Sequence, residues 1–100
     1  MIVVTGSVTA RKDSLEEISR LSLEHVHRSR KEDGCISHAV HIDCENPLRL
    51  VFIEQWAGRA ALQAHFAVPA SRDFIRALLQ PLVAATPTLE IYDASRLESL

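Results

Sequence analysis

The stretch Leu48 to His65, LRLVFIEQWAGRAALQAH, places a strand directly before a short helix. Its first half is rich in β-branched and aromatic residues, which predicts a strand from Leu48 to Trp56. A helical region begins after it at Gly58 and carries His65. Glu54 and Trp56 lie on one face of the strand, because side chains alternate along it. We expect Glu54, Trp56 and His65 to line one space, and any functional site to lie there.

Composition indicates a single globular domain. The 100 residues are 47% hydrophobic and 24% charged, with a formal net charge of -2. We expect one domain over residues 1–100, with a core at about 2–93 and a tail at 94–100. No nucleic-acid partner is expected, because the basic cluster of Arg28, Arg30 and Lys31 lies at the end of a predicted helix, where cations complement the helix dipole.

No segment of the sequence has the features of a membrane span or an export signal. No apolar run approaches the ~20 residues that cross a bilayer, and the N-terminus lacks a basic segment followed by an apolar one and a cleavage site. We therefore expect a cytoplasmic protein with no membrane contact. Cys35 and Cys44 have neither CxxC nor zinc-site spacing, so we expect reduced thiols.

The N-terminal half predicts a strand, a helix and a hairpin. Residues 2–10 are short or β-branched and predict a strand. Asp13 or Ser14 can cap a helix with apolar residues at helical spacing, and Gly34 can end it. Residues 35–43 return to β character, and the turn at Cys44–Pro47 predicts a hairpin with a loop of several residues.

The C-terminal half predicts an interrupted helix and a last strand. Helical spacing resumes after Trp56, is interrupted near Val68–Pro69 and continues to Leu82, with Pro81 expected to end or bend the helix. Pro87 opens a strand at about residues 88–92. The order βαββαβ predicts an α+β, ferredoxin-like fold with a four-stranded antiparallel sheet.

Both faces of this sheet carry apolar side chains. In the strand that ends at Trp56, Leu50 and Phe52 lie on one face, while Val51 and Ile53 lie on the other. Two helices cover only one face of such a sheet, so a second copy of the chain would cover the other. We therefore predict a homodimer; the alternative is a monomer with an apolar open face.

Four segments in this order resemble the antibiotic-biosynthesis-monooxygenase family, which includes quinol monooxygenases. They are Glu32-Asp33-Gly34-Cys35 at the helix-to-strand junction, Asn46-Pro47 in the hairpin, Phe52-Ile53-Glu54-Gln55-Trp56 in the strand and Ala61-Leu62-Gln63-Ala64-His65 in the helix. The resemblance covers nearly the whole chain. It implies a dimeric α+β barrel with a pocket between sheet and helices in each subunit. It also implies oxygenation of a small phenolic or quinol substrate by dioxygen, without flavin, haem or metal.

The chain departs from this family in two places. Many relatives have a polar or histidine residue after the proline that follows the helix histidine, where this chain has Pro69-Ala70-Ser71. The haem-degrading branch needs a Trp at the position of His65 and a haem-ligating His further along, where this chain has Ile75. We therefore reject haem degradation as a function, because haem iron needs an axial ligand and this chain has no histidine at that position.

His65 is the leading candidate for a catalytic base. A cofactor-free oxygenase must deprotonate its substrate so that the electron-rich anion reacts with triplet oxygen, and imidazole titrates near neutral pH. Glu54 is the candidate for orienting His65. The structural alternatives are a half-buried His65 that is hydrogen-bonded to Glu54 or to a backbone carbonyl, and a Glu54 that is paired with Arg49, Arg59 or another base.

Aromatic residues are expected to form the substrate pocket. Trp56 is predicted to be pocket wall or core rather than a redox partner, and Phe52 and Phe74 complete the predicted wall. The alternation of side chains along a strand does not show which face of the sheet the helices cover. Polar residues of either face therefore remain substrate-binding candidates, namely His41, Thr5 and Ser7.

No metal site is expected from the spacing of the histidines. His38 and His41 point to opposite faces of a strand, and His25 and His27 diverge by about 200° on a helix. Nucleotide-binding, serine-hydrolase and zinc-protease motifs are also absent from the sequence. The leading hypothesis is a cofactor-independent monooxygenase. The alternatives are a dimeric module that binds a small apolar molecule without turnover, and a non-oxidative cyclase or isomerase that uses the same base.

Overall fold

The computed structural model describes residues 1–79 and 82–100. Its elements are β1 (Ile2–Thr9), α1 (Leu15–Ser29), β2 (Cys35–Asp43), β3 (Asn46–Trp56), α2 (Arg59–Ala67), α3 (Pro69–Leu78) and β4 (Thr88–Asp93). The strands form one antiparallel sheet in the order β2-β3-β1-β4. The predicted ferredoxin-like α+β fold is confirmed, with the second helical region divided in two.

The hairpin between β2 and β3 is tighter than predicted. Only Cys44 and Glu45 lie outside the strands, because β3 already begins at Asn46. The Asp43 carboxylate accepts a hydrogen bond from the backbone N–H of Glu45 at 2.8 Å, which closes the turn. A short side-chain acceptor of this kind allows a turn of two residues where composition indicated a longer loop.

The second helical region is interrupted where the sequence predicts. Val68 has φ of -63° and ψ of 125°, an extended conformation that ends α2, and Pro69 opens α3. Helix α3 ends at Leu78, so Leu82 lies beyond it and the predicted helix was too long. The bend predicted at Pro81 lies outside the described residues. None of the helices in the described parts of the chain has the length and apolar character needed to span a membrane.

The three helices pack on one face of the sheet. Along β1, the residues of even number are buried and those of odd number are half-buried. Side chains from α1, β3 and α3 meet on the buried face, among them Ile18, Phe52 and Phe74. A second cluster gathers Trp56 with neighbours from β1 and α2. The helix-covered face therefore contains the core, and any enclosed site must lie there.

The opposite face of the sheet, which we call the open face, carries apolar side chains. Ile53 is 44% exposed and Tyr92 is 47% exposed. Val3 and Tyr92 lie opposite each other in the β1–β4 ladder, and Thr5 lies opposite Ile53 in the β1–β3 ladder. Directly paired residues share a face, so these side chains form one surface.

Gly34 fixes the connection between α1 and β2. Its φ is 81°, and a Cβ added there would lie 2.5 Å from the Cβ of Ala61 in α2. We expect Gly34→Ala to lower the free energy of unfolding by about 2 kcal/mol or more, since the left-handed conformation alone costs about 1–2 kcal/mol. Urea denaturation would measure the change. The matched control is Gly58→Ala, where φ is -175° and an added Cβ meets no atom of the described residues within 4 Å. Equal losses in the two variants would contradict the assignment.

Candidate functional site

A cavity of about 150 Å³ lies between the helix-covered face of the sheet and α3. Its buried polar side chains are His25 from α1, Glu54 from β3 and His65 from α2. The rest of its lining is mainly apolar and includes Phe52, Phe66, Phe74, Leu78, Leu79 and Leu89. A small organic molecule with one polar end fits such an enclosure.

Three histidines from three different elements meet beside this cavity. His25, His38 and His65 are 4%, 1% and 2% exposed, and their ring centroids lie 5.2 to 5.7 Å apart. One ring nitrogen of each lies within 4.8 Å of those of the other two. As the spacing predicts, His38 is buried and His41 is exposed. Spacing within one element gave no indication, however, that histidines of different elements converge.

Glu32, which follows α1, holds His65 in place. The Nδ1 atom of His65 lies 2.8 Å from Oε1 of Glu32. A carboxylate only accepts hydrogen bonds, so Nδ1–H is the donor, and in the neutral ring the lone pair is on Nε2. The sequence assigned this orienting contact to Glu54, and the structure corrects that assignment to Glu32.

Glu54 bonds within the core, and the base beside it is His38 rather than one of the two predicted arginines. Its Oε1 accepts a hydrogen bond from Nε1 of Trp56 at 2.9 Å and lies 3.3 Å from Nε2 of His38. Arg49, one of its predicted partners, instead contacts Asp43 at 3.1 Å. Burial raises the pKa of Glu54, but His38 and the Trp56 N–H outweigh that effect and hold the pKa below its usual value. Glu54 is therefore an anion at neutral pH.

His25 is a neutral imidazole. Burial, with the neighbouring His38 and His65, lowers its pKa to about 3. Its Nδ1 lies 3.2 Å from Nη2 of Arg28. Because the guanidinium can only donate, Nδ1 accepts and the single proton of His25 is on Nε2. His25 is thus a hydrogen-bond donor in this tautomer and does not serve as a base.

The predicted aromatic residues divide between cavity wall and core. Phe52 and Phe74 line the cavity, with ring centroids 5.9 Å apart. Trp56 is 0% exposed and lies behind His65, with ring centroids 4.5 Å apart. Trp56 is therefore a core residue that supports the site.

The polar candidates on the strands lie away from the cavity or at its border. Thr5 lies opposite Ile53 and His41 lies opposite Val51, so both belong to the open face. This placement corrects the expectation that they face the substrate. Ser7 borders the cavity, but its hydroxyl lies 2.7 Å from that of Thr88 in β4.

Sequence reasoning missed His25, His38 and Glu32 as members of the site. His25 had a usable signal, because it follows Ile18 by seven positions and Ser22 by three, which places it on the buried stripe of α1. His38 had no such signal, because the alternation of side chains along a strand does not show which face of the sheet the helices cover. Glu32 lies outside regular structure, and it was noted only as part of a resemblance.

The fold and site together define a small α+β protein with a buried histidine cluster beside an apolar cavity. A family model described as antibiotic biosynthesis monooxygenase matches residues 1–77. The chain therefore belongs to the antibiotic biosynthesis monooxygenase family, as its four sequence segments indicated.

Individual relatives agree with this family assignment. An uncharacterized protein of Synechocystis sp. is 33% identical over 99 residues, which cover 99% of this chain and 67% of that protein. A solved antibiotic biosynthesis monooxygenase is 25% identical with a TM-score of 0.86, covering 96% of this chain and 100% of that one. A Deinococcus radiodurans structure is 24% identical with a TM-score of 0.93, covering 100% and 98%. This last likeness concerns the fold alone.

Proposed function

We propose that this chain is a cofactor-independent monooxygenase that oxidises a small electron-rich phenol or quinol with dioxygen. The observation that carries the proposal is the state of His65. Its imidazole is buried at the cavity and its Nδ1–H is bonded to Glu32, so the neutral ring keeps Nε2 as the atom that can accept a proton. Membership of the monooxygenase family supports the choice of oxygen as the second substrate.

The proposed reaction begins with proton transfer from the substrate hydroxyl to Nε2 of His65. The Glu32 carboxylate stabilises the imidazolium that forms, as an orienting acid does in other base-catalysed sites. The resulting anion is electron-rich enough to transfer one electron to dioxygen. For a quinol, the sum is quinol plus dioxygen to hydroxyquinone plus water, and the quinol itself supplies all four electrons. No external reductant is needed.

The size of the cavity supports a substrate with a single aromatic ring. An apolar cavity of about 150 Å³ holds one benzene molecule, and this cavity has the same volume. The ring would lie among Phe52, Phe74 and Leu78, with its hydroxyl towards His65 and Glu54. Any larger substituent must extend past Leu79 or Leu89 towards solvent.

Oxygen consumption by the purified, metal-free protein tests the proposal. A panel of single-ring quinols and phenols should include at least one compound that consumes oxygen well above its own autoxidation. Two-ring and three-ring analogues, including anthrone-like phenols, serve as size controls and should react more slowly. Uptake equal to the protein-free background across the whole panel would contradict the proposed activity.

We propose that a second copy of the chain covers the open face. Exposed Ile53 and Tyr92 and half-buried Val3 form an apolar surface there, and a symmetric partner would remove it from water. Sedimentation at micromolar concentration should give the mass of two chains, and Ile53→Lys should shift it to one. Leu23→Lys, at a residue 48% exposed on α1, is the matched control and should remain dimeric. A wild-type mass of one chain would overturn the dimer.

A further inference from the structure

We infer that His25, His38 and His65 form a binding site for one divalent transition-metal ion of the Zn²⁺ or Co²⁺ type, and that the bound ion blocks His65 as a base. The metal site goes beyond the proposed oxygenase activity and is independent of it; only the blocking of His65 as a base rests on the proposed function.

The geometry of the three imidazoles suits a shared ion. Their nearest ring nitrogens all lie within 4.8 Å of one another, and each residue lies on a different helix or strand. Three histidines with one open position are an established donor set for zinc. Bonds of about 2.0–2.1 Å to a tetrahedral ion place the nitrogens about 3.4 Å apart. Compared with the present spacing of up to 4.8 Å, each pair of nitrogens must therefore move closer by at most about 1.4 Å. Rotation of the side chains can provide this movement.

His38 supplies an independent indication of a ligand. It is 1% exposed, and within residues 1–79 and 82–100 neither of its buried ring nitrogens has a hydrogen-bond partner. The 3.3 Å contact between its Nε2 and Glu54 is too poorly aligned to count as a hydrogen bond. A buried polar atom without a partner is unfavourable, and a metal ion at one nitrogen would satisfy it.

The charges around the cluster favour a cation. Glu54 is a buried carboxyl group that contacts His38, and Glu32 accepts the hydrogen bond from Nδ1 of His65. A carboxylate on the far nitrogen of a metal-binding histidine fixes the ring and strengthens the ligand.

Arg28 opposes metal binding at His25. Its guanidinium donates to Nδ1, which leaves the proton on Nε2, and it adds a positive charge beside the cluster. Binding of the ion through Nε2 requires Arg28 to move away and the proton to shift to Nδ1. The carbonyl oxygen of Ala70, 3.3 Å from Nη2, is a second acceptor already within reach of Arg28. We therefore expect Arg28→Ala to bind metal more tightly than the wild type.

The test uses the full chain, stripped of metal and free of substrate. Co²⁺ is followed by visible absorption and Zn²⁺ by calorimetry. We expect one ion per chain and Co²⁺ bands typical of imidazole coordination in a low-symmetry site. His38→Ala and His25→Gln should each abolish that signal, and Glu32→Gln should weaken binding by about 10-fold or more. Circular dichroism confirms that each variant is folded, and two separate histidine variants guard against a folding failure in one.

Exposed His27 provides the matched control, because His27→Ala removes an imidazole of α1 outside the cluster. Its binding should equal that of the wild type. The inference is overturned if no ion binds at millimolar concentration, or if binding persists unchanged in both His38→Ala and His25→Gln. Any substrate-dependent oxygen uptake should fall as Zn²⁺ saturates the site. The metal titration does not depend on enzyme turnover. A failure of metal binding can therefore be distinguished from a failure of the proposed oxygenase activity, which the oxygen-uptake assay measures.

Discussion

His65→Ala is expected to lower the rate of oxygen uptake by about 100- to 10,000-fold, the range that a positioned general base contributes. The variant loses the only nitrogen at the cavity that is both oriented by a carboxylate and free to accept a proton, within the residues that the structure describes. The measurement is the initial rate at saturating substrate. Binding of an unreactive single-ring phenol should change far less, since the apolar wall is intact.

The control for this variant is His27→Ala, which removes an exposed imidazole on α1 and should retain the wild-type rate. A non-catalytic binding module has no rate to lose, so changed affinity without any wild-type turnover would favour that alternative. A cyclase or isomerase would lose product formation in His65→Ala without consuming oxygen in the wild type. An equal oxygen-uptake rate in His65→Ala and wild type would remove His65 from the mechanism.

Trp56→Ala is expected to lower the free energy of unfolding by about 3–5 kcal/mol, as truncation of a large buried aromatic does. Trp56 is 0% exposed and packs with Ile2, Val4 and Leu62. Its loss also leaves the buried carboxylate of Glu54 without its N–H donor. Most small domains are stable by about 5–15 kcal/mol in total, so the variant should be close to unfolding. Urea denaturation, followed by circular dichroism, would measure the loss.

Two further variants separate the causes of that loss. Trp56→Phe keeps most of the buried area but removes the N–H, so it should cost about 1–3 kcal/mol. Leu97→Ala truncates a side chain that is 94% exposed and should change stability by less than about 0.5 kcal/mol. A loss in Trp56→Ala no larger than that of Leu97→Ala would show that the indole does not support the core.

The fold was predictable because its signals are local. Alternation along β1, helical spacing along α1 and the break at Val68 each occur within one short segment, and the structure confirms all three. Hairpin length was not predictable in this way. The turn is closed by the Asp43 side chain, a contact that composition does not reveal.

The candidate site was predictable only in part. His65, Phe52 and Phe74 do lie at the cavity, because each follows the buried periodicity of its own element. His25 and His38 meet His65 only because α1, β2 and α2, which are separate in sequence, come together in the fold. Which sheet face the helices cover is a tertiary property, and no single strand encodes it. For the same reason Thr5 and His41 could not be excluded before the structure was known.

Labelling with ¹⁸O₂ distinguishes oxygenation from every alternative function. The metal-free protein is incubated with its best single-ring quinol under ¹⁸O₂, without any added reductant, and product and water are examined by mass spectrometry. We predict one labelled oxygen atom in the hydroxylated product, the other in water, and one dioxygen consumed for each quinol. A product without label, or dioxygen recovered only as hydrogen peroxide, would contradict the proposed monooxygenase.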